Sequence, residues 1–162
     1  MKTCSFFGHR DIAITHELTN KLKTVIEHLI KNENFTVFYF GELGDFDNIC
    51  YEIVTELKTT YMQVERIYVA PDEKKLSLHR RRNIKSYEKR VVLPVSFSWW
   101  YKIIYYRNLS IIDNSDFIIF YVTENENSGA YKAMKYAIKS KKRHLNIAVG
   151  ELNNENYLFT KE

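Results

Sequence analysis

Short runs rich in aromatic and β-branched residues take turns along this chain with longer stretches whose apolar residues recur at helical spacing. The runs Thr3–Phe7, Phe35–Phe40, Val64–Ala70, Val91–Val95, Asp116–Val122 and His144–Val149 predict strands. Between the first two, Leu18, Leu22, Val25, Ile26, Leu29 and Ile30 predict a helix that starts at Thr15 or His16. Ile49, Ile53, Val54 and Leu57 predict a second over Phe46–Thr60. Tyr101, Ile104, Tyr105, Leu109 and Ile112 predict a third over Trp99–Asp113, and a last helix spans Ala130–Ser140. Only Asp72–Lys89 breaks the rhythm. It is polar and basic with no clean period, which predicts an irregular, mobile surface insert holding at most a helical turn.

Strands that alternate with helices pair in parallel through right-handed crossovers. The fold class expected is α/β, a Rossmann-like three-layer sandwich with a mainly parallel central sheet. One domain over residues 1–162 is expected, with 72–90 as a basic insert. Phe35–Phe40 and Phe117–Val122 lack polar alternation, so both belong at the sheet's covered centre. In such sheets ligands bind beyond the carboxyl ends of the strands. The loops Gly8–Asp11, Gly41–Asp47 and Glu124–Gly129 each follow a strand, and strand polarity assigns all of them to that edge.

Composition changes this picture little. With 45% hydrophobic and 27% charged residues, the chain can bury a core without metal or disulfide, and disorder is excluded. Cys4 and Cys50 have no ligand spacing and read as buried apolar residues of a reducing compartment. Met1 runs straight into the first strand and no apolar run has membrane-spanning length, so a cytoplasmic protein without a membrane partner is expected. The net charge of +4 is concentrated in two places, Lys74–Arg90 and Lys139–Arg143. Such clusters are solvated surface by default and suit nucleic acid or an anionic ligand otherwise.

The candidate chemistry lies in the loops. Strand, glycine turn and helix around Gly41-Glu42-Leu43-Gly44-Asp45 would present backbone N–H groups to an anion at a helix N-terminus, with Asp45 or Asp47 as helix cap. Arg10 can clamp a phosphate through its planar fork, or pair with Asp11 at the surface. His9 can act as general acid or base, or bond a backbone carbonyl. Arg107 and Asn108 lie inside a helix, where solvent is the default direction for a charge. Asn127-Ser128-Gly129 opens the last helix, as a second anion nest or as an ordinary N-cap.

Five motifs occur in order: FFGHRD, GxxGxFD over Gly41–Asp47, RNxxxID over Arg107–Asp113, SDFIIFYV and SGAYKAMKYA. Together they resemble the SLOG superfamily, the Rossmann-like domains named after the DNA-processing Smf/DprA proteins and the LOG phosphoribohydrolases. The resemblance is to its small, single-domain bacterial and phage branch, and covers all but residues 72–89 and the tail after Gly150. It implies a site for a nucleotide or nucleotide-derived small molecule. Gly8, His9 and Arg10 would line it from the first loop and Gly41, Gly44 and Asp47 from the second. Arg107 and Asn108 would reach it from the long helix, and Ser128 and Gly129 would hold a phosphate.

LOG-type hydrolases carry PGGxGTxxE, in which the glutamate assists glycosidic cleavage. Here the matching stretch has Ser128, Gly129 and Ala130, and Ala133 at the glutamate position. Alanine offers no carboxylate. The leading expectation is therefore a nucleotide-binding sensor or regulator. The alternative is an N-glycosidic hydrolase or transferase, with Glu42, Asp45 or Asp47 supplying the carboxylate and His9 assisting. A further alternative is single-stranded DNA binding through the insert, with Tyr87, Trp99 and Trp100 stacking on bases. No cofactor and no metal site are expected, and a homo-oligomer is left open.

Overall fold

Six strands pair in parallel in the order β4-β3-β2-β1-β5-β6. In a computed structural model describing residues 1–82, 85–95, 99, 102–123 and 127–149, they alternate with five helices. Along the chain these are β1 (Lys2–Gly8), α1 (His16–Glu33), β2 (Phe35–Phe40), α2 (Asp45–Lys58), β3 (Glu65–Ala70) and α3 (Glu73–Arg82). Then come β4 (Lys89–Val92), α4 (Ile103–Asp113), β5 (Phe117–Tyr121), α5 (Gly129–Lys139) and β6 (His144–Asn146). The fold is the Rossmann-like three-layer α/β arrangement, with a wholly parallel sheet among the described strands.

The layers follow from the strands' period of two. Phe6, Phe38, Phe40 and Ile119 face one side, where they pack with Leu22, Ile26, Phe46 and Ile53 of α1 and α2. Phe7, Ile118 and Phe120 face the other, against Ile111, Ile112, Ala133 and Ala137 of α4 and α5. Strands covered on both faces need no polar alternation. The register sets Cys4 beside Phe38 of β2 and Phe117 of β5, so β1 lies between the two apolar strands.

Helix α1 begins where Thr15 accepts a hydrogen bond from Leu18 N at 3.1 Å, and ends at Asn34 in the left-handed conformation, φ 60°. Its buried stripe is Leu18, Leu22, Val25, Ile26, Leu29 and Ile30. Helix α4 begins at Ile103, later than the expected Trp99; Trp100 and Tyr101 lie outside the described residues.

The expected irregular insert is corrected. Residues 73–82 form α3, the crossover that joins β3 to β4, with Leu76 its one buried residue. Asp72 Oδ1 accepts from Lys75 N at 2.6 Å, Glu73 lies in the first turn, and His79, Arg80, Arg81 and Arg82 crowd the last. Cap and charges follow the helix dipole, and one buried leucine is too little to show a period. Beyond α3, Tyr87 is buried among the rings of Phe40, Tyr51, Tyr68 and His79. Tyr87 therefore fixes that part of the segment to the core.

Candidate functional site

From β1 to β4 the chain winds outward, and α4 then carries it back across the sheet to β5, beside β1. Loops leaving β1 and β5 must part at this reversal, and a crevice opens beyond the strands' carboxyl ends. A cleft of about 330 Å³ lies there. That is at the small end of the roughly 300–1,000 Å³ usual for small-molecule sites.

Nine of the residues expected at the site line this cleft: Gly8, His9 and Arg10; Gly41 and Asp47; Arg107 and Asn108; Ser128 and Gly129. Gly44 does not. It stands behind the cleft with φ 99°, and a Cβ there would come within 2.4 Å of the Arg10 Cα. The next residue's N–H donates to the Arg10 carbonyl at 2.7 Å. Gly44 thus lets the first and second loops touch backbone to backbone, in a conformation that side chains disfavour.

Arg107 is turned inward, against the default reading of a helical charge, and is only 3% exposed. Its Nη1 donates to the carbonyls of Gly41 at 3.0 Å and Val69 at 3.4 Å, and Nε and Nη2 reach Asn108 Oδ1 at 3.3 and 3.0 Å. All of these acceptors are neutral. No carboxylate of the described residues forms an ion pair with it, and Asp47 acts on it from a longer range. Burial lowers the pKa of the guanidinium accordingly. A buried cation without a direct ion-pair partner is costly, and an anion in the cleft would offset that cost.

Asp47 is buried at the cleft wall and accepts from Glu42 N at 2.8 Å and Gly41 N at 3.4 Å. Loss of solvent pushes its pKa from 3.8 up to about 6, against the pull of those N–H groups and of Arg107. Asp45 Oδ2 takes the Ile12 N–H at 3.2 Å. The expectation that either carboxylate caps α2 is corrected: the N-cap is Gly44, with no side-chain bond. Both aspartates still sit in the first turn, where negative charge suits the helix dipole.

Glu42 is strained, with φ 57° in the left-handed region. Its carboxylate is held away from the cleft, accepting from Tyr87 Oη at 2.8 Å and meeting His79 Nε2 at 3.0 Å. Arg90 Nε donates to His79 Nδ1 at 3.2 Å, so in this arrangement the His79 ring proton lies on Nε2, facing Glu42.

His9 Nε2 accepts from Thr123 N at 3.0 Å and lies 3.0 Å from Thr123 Oγ1. It ties the end of β1 to the end of β5 and bonds an N–H, not the carbonyl expected. The side chain of Arg10 is exposed at the mouth, and it forms no ion pair with Asp11. Ser128 caps α5, its Oγ accepting from Tyr131 N at 3.0 Å. Capping does not exclude the nest, because Gly129 and Ala130 precede the first intrahelical bonds and line the cleft. A Cβ on Gly129 would meet nothing within 4 Å, so this helix start faces open space.

Residues the sequence reading missed are the cleft's apolar walls, among them Phe7, Tyr39, Leu43, Ile104 and Ile111. Strand alternation would have found one: Tyr39 and Gly41 point to the same face as Phe7. Of the expected base-stacking groups, Tyr87 is corrected, being 8% exposed with its hydroxyl engaged. Trp99 is 50% exposed, and Trp100 lies outside the described residues, as do Glu124, Asn125, Glu126 and the tail from Gly150. Among the described residues no cluster of His, Cys, Asp and Glu is placed to hold a metal ion, and no helix is long and apolar enough to cross a membrane.

No family model and no curated protein matches the chain. Among solved structures it is similar to the X-ray structure of DNA processing protein A (DprA) from Streptococcus pneumoniae, with a TM-score of 0.60 and 15% sequence identity. The match covers 94% of this chain and 52% of that one, so the chain spans about half the length of the DprA chain. At this identity the likeness is one of fold. It agrees with the Rossmann-like architecture that the SLOG resemblance implies.

Proposed function

We propose that residues 1–162 form one SLOG-type domain of the small branch, acting in the cytoplasm as a sensor or regulator. Its ligand is a nucleotide or nucleotide-derived small molecule held by its phosphate in the cleft. The observation that carries this reading is Arg107: a buried guanidinium at the cleft wall, bonded to neutral groups alone. The N-terminus of α5 and Arg10 add donors, so the lining offers a phosphate two guanidinium groups and backbone N–H groups. Tyr39, Ile104 and Ile111 offer apolar surface to a sugar or base. Calorimetry with a nucleotide panel tests it, alongside mass spectrometry of small molecules released on denaturation. Binding of nucleoside phosphates but not nucleosides is expected, and equal binding of both would overturn the phosphate-anchored reading.

A second reading is supported by Asp47. Of the three carboxylates that could serve glycosidic cleavage, it alone lines the cleft, with its pKa pushed up to about 6 by burial. Hydrolysis or transfer at an N-glycosidic bond would then release free base. Single-stranded DNA binding draws on the DprA likeness and the exposed arginines of α3. It would show as salt-sensitive binding to an oligonucleotide.

A further inference from the structure

On the far side of the Gly41–Leu43 backbone lies a second cavity, of about 270 Å³. Gly41, Leu43, Ile104 and Arg107 line both it and the main cleft, so the two spaces back onto the same narrow wall. The wall is fixed by the left-handed Glu42, whose carboxylate is engaged by Tyr87 and His79, and by the bond from Arg107 to the Gly41 carbonyl.

The chemistry of the second cavity is lopsided. Lys75 and Arg82 reach it from α3, seven residues apart and therefore on one helical face. Among the described residues neither has an ion-pair partner for its side-chain charge. The one carboxylate in the lining, Glu42, already has a partner on each oxygen, with Arg90 behind His79. The remainder is apolar or aromatic: Pro71, Leu78 and Tyr68, whose ring stacks on His79 with centroids 3.6 Å apart. An apolar floor with unpaired cations at the rim suits a further anionic group on an organic ligand.

We infer that this cavity is a second anion subsite, and that the physiological ligand is a nucleotide bearing a second phosphoryl group that reaches over the Leu43–Ile104 rim to Lys75 and Arg82. The inference rests on the nucleotide-binding reading of the main cleft. A polyphosphate chain and a second, linked nucleotide share this chemistry, and a ligand panel distinguishes them.

The experiment is calorimetry of the full chain and of a Lys75→Ala/Arg82→Ala variant against a nucleoside monophosphate, its triphosphate and a linear dinucleotide. Both substituted side chains are exposed, and circular dichroism checks that the fold is kept. The wild type should bind at least one extended ligand about tenfold or more tighter than the monophosphate, the scale of one charge-assisted contact. The variant should lose that gain while its monophosphate affinity stays unchanged. The ligand that shows the gain identifies the source. If the monophosphate binds but extension adds nothing, or the variant weakens every ligand alike, the subsite is overturned and the main cleft stands. If no nucleotide binds the wild type, both fall together.

Discussion

Arg107 donates from Nη1 to the carbonyl oxygen of Gly41 at 3.0 Å, and a Cβ on Gly41 would stand 2.7 Å from its Nη2. The glycine is thus the surface on which the buried guanidinium rests. Gly41→Ala should push Arg107 out of register with the cleft. Nucleotide affinity should fall about tenfold or more, while overpacking costs about 1–3 kcal/mol of stability. Calorimetry and thermal melting separate the two effects, and an unchanged affinity would remove Arg107 from the site.

Arg10 and Arg107 should respond differently to truncation. Arg10→Ala removes an exposed side chain with no ion pair, so Tm should hold while binding weakens by about 1.5–3 kcal/mol, the range for a hydrogen bond to a charged group. Arg107→Ala should weaken both, because the carbonyls of Gly41 and Val69 lose their donor. Arg107→Lys should not rescue binding, since an ammonium cannot span those carbonyls and Asn108 together. Rescue by lysine would mean that charge alone matters there.

Asp47 makes stability fall as pH rises. Its folded pKa of about 6 lies above the ordinary 3.8, so the folded state holds the proton more tightly than the unfolded chain does. This contribution is fully present below pH 3.8 and lost by the time pH passes 6, a difference of about 3 kcal/mol at most. Asp47→Asn removes the ionisation, and its amide oxygen can still accept from Glu42 N. The variant should melt higher than wild type at pH 7 and lose part of the pH dependence between 4 and 6. A variant less stable at pH 7 would show that the carboxylate's hydrogen bonds outweigh its desolvation.

The parts of this molecule legible in the sequence are those written in periodic apolar residues. Phe35–Phe40 and the α1 stripe announce themselves because each buries a whole face. Helix α3 hides because it buries Leu76 alone, and its signal is the cap and charge order from Asp72 to Arg82. The loops' meeting place followed from strand polarity, without contacts. The roles of their acids did not: Asp45, Asp47 and Glu42 lie within six residues, and only geometry sends one to Ile12, one to the cleft and one to Tyr87. Arg107 shows the limit most plainly, for helical spacing says which residues share a face but not that a guanidinium will be buried among neutral partners.

The same partition of carboxylates bears on whether a nucleotide held in the cleft would be cleaved. Glycosidic cleavage builds positive charge on the sugar and negative charge on the departing base, and a carboxylate facing the sugar is the usual stabiliser. Ala133, at the position where LOG-type hydrolases carry their glutamate, is buried in α5 and supplies none. Glu42 is bound to Tyr87 and His79, and Asp45 to the Ile12 N–H. Asp47 remains, yet its oxygens hold the N–H groups of Gly41 and Glu42, the turn on which Arg107 rests. Positioned acid–base help is commonly worth about two to four powers of ten in rate, and a carboxylate engaged in holding a turn forfeits most of it. Nucleoside monophosphates incubated with the protein should therefore be recovered intact by chromatography, and Asp47→Asn should leave that result unchanged. Free base released by the wild type and lost in Asp47→Asn, with binding retained, would make Asp47 the catalytic carboxylate and the protein an enzyme.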